Sequence, residues 1–88
     1  MKNKLFDLTK KVSLITGGNG GIGLGMAKGL ASCGSDVAII GRSIEKNLKA
    51  KEELMQFDVK VETYSTDVSD EKDVKETILN IVNDFGRI

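Results

Sequence analysis

The sequence predicts an α/β fold, one half of a doubly wound parallel sheet running β-α-β-α-β-α, with its three strands side by side in the order 3-2-1. Three observations predict it. A glycine cluster, Thr16-Gly17-Gly18-Asn19-Gly20-Gly21-Ile22-Gly23, follows the apolar run Val12, Leu14, Ile15 and opens a helical pattern. A second apolar run, Asp36-Val-Ala-Ile-Ile40, closes on Gly41, and a third, from Val59 to Ser65, alternates. Residues with helical spacing separate the runs, and strands joined by such crossovers pair in parallel.

Each element has its own signal. Residues 11–16 are short, apolar and β-branched, as a buried strand requires. Ahead of them, residues 1–10 form a polar lead-in whose Leu5, Phe6 and Leu8 can pack beneath the sheet. From Gly21 the pattern turns helical: Ile22, Met26 and Leu30 recur at four-residue spacing, Ala27 and Ala31 lie between them, and Gly34 suits the C-terminal cap. Gly25 and Gly29 each cost about 1 kcal/mol against alanine in a helix interior. Close approach of helix to strand is the expected compensation.

Asp36–Ile40 reads as a buried parallel strand. Ser43 is a good N-cap and Glu45 suits the first turn of a charged helix reaching about Phe57, with Leu48, Leu54, Met55 and Phe57 as candidates for its buried face. Val59, Val61, Thr63 and Ser65 then alternate with Lys60, Glu62 and Tyr64, a half-exposed strand at a sheet edge. Tyr64 reads as strand packing, because no lysine follows it four residues later. After Thr66-Asp67-Val68, Ser69 is expected to cap a third helix with Asp70 and Glu71 in its first turn. Val74, Ile78, Ile81, Val82 and Phe85 share one face of that helix, and Gly86 stops it. Arg87 and Ile88 read as the opening of a fourth strand.

The glycine cluster carries the chemistry. Glycine loses more entropy on folding than any other residue, so five in eight positions need a reason. A strand-to-helix turn supplies one: outward N–H groups, the helix dipole and missing side chains let a dinucleotide pyrophosphate seat on the amides of residues 17–23. The spacing admits three readings. Gly18-x-Gly20-x-x-Gly23 fits the general Rossmann fingerprint, while Thr16-Gly17-x-x-Gly20-x-x-Gly23 and Thr16-Gly17-x-x-x-Gly21-Ile22-Gly23 fit narrower variants of it. At the end of the second strand, beside the adenosine ribose, an acid would bind a 2′-hydroxyl and an arginine a 2′-phosphate. Here stand Gly41-Arg42-Ser43 and no acid, so NADP(H) is favoured over NAD(H), with Arg42 and the Ser43 hydroxyl on the phosphate. Asp67 is placed to accept from the adenine amino group, with the Val68 backbone alongside; a plain turn residue ahead of a helix fits Asp67 equally well.

Composition excludes other classes. Eighty-eight residues allow one small domain; 13 basic and 13 acidic residues balance, so nothing points to nucleic acid. No apolar stretch approaches the ~18 residues of a membrane span, nor does a signal-peptide core follow the start. With no histidine and a single cysteine, Cys33, neither a zinc cluster nor an internal disulfide is expected. A cytoplasmic protein is the expectation, with Cys33 packed near a helix end.

Taken together, the strand before Thr16, the Gly21-Ile22-Gly23 helix start, Gly41-Arg42, Asp67-Val68 and the ending Phe85-Gly86-Arg87-Ile88 resemble the compact branch of the short-chain dehydrogenase/reductase family. The resemblance runs over essentially the whole chain. It implies that residues 1–88 are the NAD(P)-binding N-terminal part of a longer domain. Thr16 would brace the turn, and Gly17, Asn19, Gly20, Gly21, Ile22 and Gly23 would hold the pyrophosphate. The run Asn19–Ala27 is similar to sugar-acid and polyol dehydrogenases of the family. Departures are Thr9, where glycine is common, and the lack of a basic residue at 18–20. The family's catalytic serine and Tyr-x-x-x-Lys pair do not occur in these residues, so hydride transfer by the 88 residues alone is not expected, and no catalytic residue or metal ligand is assigned. Members commonly form dimers or tetramers. A stand-alone nucleotide-binding module and a non-functional truncated product are the alternative readings.

Overall fold

The computed structural model describes residues 10–17 and 21–86. The chain runs β1 (Val12–Thr16), α1 (Gly21–Ser32), β2 (Asp36–Gly41), α2 (Ile44–Leu54), β3 (Val61–Ser65) and α3 (Glu71–Phe85). Both strand pairs are parallel, in the order β1-β2-β3, as the sequence predicts. The readings made for Leu5, Phe6, Leu8, Arg87 and Ile88 lie outside the described residues.

The sheet is covered on both faces, and the side-chain alternation of β2 divides the core. Val37 and Ile39 point to one face, where they pack with Ala27 and Ala31 of α1 and Leu54 of α2. Ala38 and Ile40 point to the other, where they meet Ile81 and Phe85 of α3. Fully burying a side chain such as Ile39 contributes about 1.5–3 kcal/mol, so the central strand anchors both layers. Among the described residues no helix is long and apolar enough to cross a membrane.

Several helical expectations are corrected. In α1 the small residues Ala27 and Ala31 are buried, while Ile22 and Met26 are 85% and 58% exposed. Four-residue steps advance about 400°, so a stripe at 22, 26 and 30 drifts around the helix and only Leu30 reaches the core. Gly25 and Gly29 do not serve close approach: both are exposed, and a Cβ added at either would meet nothing within 4 Å. Helix α2 stops at Leu54 instead of about Phe57 and buries Asn47, Ala50 and Leu54; Leu48 and Met55 face outward. In α3 the buried line is Thr77, Ile81 and Phe85, with Ile78 and Val82 on the exposed flank.

The cap of α3 is also corrected. Asp70, not Ser69, is its N-cap, accepting from the amides of Lys72 and Asp73. Ser69 is engaged with Asp67 instead, donating both its N–H and its hydroxyl to that carboxylate. Ser43 does cap α2, accepting from the Lys46 amide, and Gly86 closes α3 in the left-handed conformation. Cys33 follows the end of α1, half-buried, its amide donating to the Leu30 carbonyl.

The edge strand β3 is tied to the C-terminal end of α3. Lys60 donates to the Asp84 carbonyl and sits 4.9 Å above the Phe85 ring, while the Tyr64 hydroxyl donates to the Asp84 carboxylate at 2.7 Å. Burial first, and then that carboxylate, push the Tyr64 pKa above the ordinary value of about 10. The neutral phenol therefore stabilises the fold below about pH 10, and its contribution is lost as pH rises towards the folded-state pKa. Tyr64 is the sole tyrosine and the chain has no tryptophan, so phenolate absorbance reports this site alone. We expect ionisation of the folded chain well above pH 10, moving back towards about 10 in Asp84→Ala.

Candidate functional site

Parallel pairing brings the C-terminal ends of all three strands to one edge of the molecule. Thr16 lies beside Ile40, and Gly41 beside Ser65. The alignment continues past the strands: Gly17 N–H donates to the Ile40 carbonyl at 2.9 Å, Thr66 N–H to the Gly41 carbonyl at 3.2 Å, and the Ser65 hydroxyl to the Arg42 carbonyl at 3.1 Å. Ligands of open α/β sheets bind beyond strand ends of this kind. The residues singled out from sequence at 17, 21–23, 42–43 and 67–68 thus converge, although they lie far apart along the chain. Asn19 and Gly20, with Gly18, lie outside the described residues.

The first segment pairs two positive-φ glycines with a helix N-terminus. Gly17 leaves β1 with φ at +68° and Gly21 enters α1 at +56°, conformations that would cost an L-residue about 1–2 kcal/mol. Helix α1 has no acidic residue in its first turn, whereas α2 carries Glu45 and α3 carries Glu71 and Asp73. Its positive dipole end is therefore the one left uncompensated by its own sequence.

The second segment offers a cation. The Arg42 side chain is 78% exposed, and its Nη2 stands 3.6 Å from Asp67 Oδ2. Ser43 keeps its hydroxyl proton, since its oxygen accepts from Lys46 at 3.3 Å. Beneath this turn lies Asn47, which sequence reasoning missed. Its buried amide donates to the Gly41 carbonyl at 3.0 Å and the Tyr64 carbonyl at 3.3 Å, pinning α2 to the ends of β2 and β3. The available signal was the spacing Asn47, Ala50, Leu54, one helical face.

The third segment is a self-bonded turn. Asp67 Oδ1 accepts from the Ser69 hydroxyl at 2.6 Å and the Ser69 amide at 3.0 Å, while Asp67 N–H donates to Asp73 Oδ2 at 2.8 Å. The Ser69 hydroxyl, then the Ser69 amide, hold the Asp67 pKa below the ordinary aspartate value, against a small opposing effect of burial. Val68 stands exposed beside it, at the rim of an apolar cavity of about 150 Å³ between the sheet and α3, where the Thr66 and Thr77 hydroxyls bond each other at 2.6 Å.

Two outcomes test this geometry. Asn47→Ala should destabilise the fold by about 1–3 kcal/mol, read as a lowered urea midpoint, because buried carbonyls lose a donor. Ser69→Ala should raise the Asp67 pKa towards about 3.9 in a carboxyl NMR titration. A depressed carboxylate pKa stabilises the fold above its unfolded-state value and ceases to do so as pH falls through the folded one, so the variant should also flatten the acid limb of stability below about pH 4.

Comparison with known proteins gives this arrangement its family. Over 84 residues the chain is 40% identical to a sorbose reductase of Candida albicans, covering 96% of this chain and 30% of that protein. It is 40% identical over 90 residues to an NADP-dependent mannitol dehydrogenase of Hypocrea jecorina, covering 96% and 33%. The chain thus spans about a third of the length of the curated relatives it matches. Among solved structures, an NAD+-bound xylitol dehydrogenase superposes with a TM-score of 0.89 at 36% identity, over 92% of this chain and 31% of that one. The family model for short chain dehydrogenase matches residues 11–88, and the chain belongs to that family.

Proposed function

We propose that these residues are the cofactor-binding half of an NAD(P)-dependent oxidoreductase that interconverts a CH–OH group and a ketone by hydride transfer, with NADP(H) favoured over NAD(H). The observation that carries the reading is the convergence, at the ends of three parallel strands, of a glycine turn, an acid-free helix N-terminus and an exposed arginine. The residues fit the group. Amides of Gly17 and residues 21–23 suit a pyrophosphate, Arg42 and Ser43 suit a 2′-phosphate, and Asp67 with Val68 suits the adenine edge.

When bound, the nicotinamide supplies or accepts the hydride; the residues of this chain bind and orient the adenosine end. No Tyr-x-x-x-Lys occurs in the sequence, so binding and not proton transfer is the role proposed for it. The NADP-dependent relative supports the phosphate-bearing cofactor, while the NAD+-bound structure shows that this fold also receives the other. Relatives named for sorbose and mannitol support a polyol and ketose pair as substrate of the protein that carries this domain.

Calorimetry of the 88-residue chain with NADPH and NADH tests the reading. Binding of NADPH is expected, and Arg42→Ala should weaken it about tenfold, the value of one charge-assisted contact, while leaving NADH nearly unchanged. An Arg42→Ala chain that still prefers NADPH defeats the cofactor assignment.

A further inference from the structure

We propose that Asp67 sets the cofactor preference by competing with the ribose phosphate for Arg42. The proposal rests on the cofactor reading above and adds to it a residue that lowers phosphate selectivity. Of the pair, Asp67 is the fixed member. Two Ser69 donors hold its Oδ1, Asp73 holds its amide, and Oδ2 is left facing Arg42 at 3.6 Å.

Arg42 is the movable member. Its backbone is pinned by the Ser65 hydroxyl, yet its guanidinium is mostly in solvent and makes one long contact to the carboxylate. A guanidinium has five donors in a planar fork and prefers a bidentate oxyanion to a single oxygen at that range. A 2′-phosphate arriving at the end of β2 therefore draws Arg42 away from Asp67. Its gain is the phosphate contact less the pair given up. A ribose with a free 2′-hydroxyl leaves the pair intact and incurs no such loss. Asp67 thus narrows the difference that Arg42 creates, and the site tolerates both dinucleotides.

The test uses the adenosine halves alone: adenosine 2′,5′-bisphosphate and 5′-AMP, titrated calorimetrically into the 88-residue chain. Asp67→Asn keeps an oxygen for the Ser69 bonds; any weakening of the adenine contact lowers both affinities and cancels in their ratio. The bisphosphate-to-AMP affinity ratio is expected to rise about two- to fivefold, the range of an exposed ion pair. In an Arg42→Ala background the same change should leave the ratio flat. Asp67→Ser gives the same readout should the asparagine variant not fold. A ratio unchanged or lowered while both ligands still bind overturns the proposal, as does a rise that persists without Arg42, which would be direct repulsion of phosphate by carboxylate. Failure of the unaltered chain to bind either ligand overturns the cofactor reading, and this proposal with it.

Discussion

Everything at the functional edge hangs on the double pairing of β2. It is bonded to β1 on one side and β3 on the other, and its side chains are buried on both faces. A strand fixed on four sides cannot slip, since a shift of one residue would exchange Val37 and Ile39 with Ala38 and Ile40 between two cores of different shape. The register carries past the last ladder residues through Gly17, Thr66 and Ser65. Gly17 and the loops after β2 and β3, far apart in sequence, are thereby held side by side, and the position of Arg42 relative to Asp67 is a consequence of strand register more than of either loop.

That order explains why the strands and their sequence of elements were legible. A buried parallel strand must be apolar on both faces, and few other structures ask for Asp-Val-Ala-Ile-Ile closed by glycine. The glycine turn was legible for the same reason: the backbone at Gly17 and Gly21 takes conformations other residues resist. The helices were read less well, because their buried faces are not their most apolar ones. Helix α1 meets the sheet through alanines and α2 through Asn47 and Ala50 together with Leu54, which the sequence marked correctly, while large side chains such as Ile22, Met26 and Leu48 marked the wrong face. Residue size was the misleading cue; close packing of helix on strand rewards small groups.

The candidate site was half legible. Arg42, Ser43, Asp67 and Val68 could be named from their distance past each strand. Their supports could not, because these are bonds between segments. The sequence points to Ser69 as the cap of α3, and the structure puts it on Asp70, while Asp67 accepts from both Ser69 donors. Asn47 holds the turn beneath Arg42 from within a helix crowded with charge, where it follows Glu45 and Lys46 and precedes Lys49. An amide in that company reads as solvent-facing. The carbonyls of Gly41 and Tyr64, brought together by the pairing of β2 with β3, give it a reason to be buried.

The same supports explain how a small sheet edge can present charge without losing order. Backbone atoms of the loops after β2 and β3 are fixed by side chains behind them: Asn47 behind Gly41 and Ser65 behind Arg42 in the first, Asp73 behind Asp67 in the second. The rigidity lies below the surface, and the groups facing outward are the ones left with bonding capacity to spare. Arg42 keeps most of its donors, Ser43 keeps its proton, and the amides at the head of α1 have no acid in their own turn to answer them. A polyanion laid against the head of α1 and the loop after β2 would therefore meet free donors on both while the chain beneath it stays where the strands put it, and such preorganisation lowers the cost of binding.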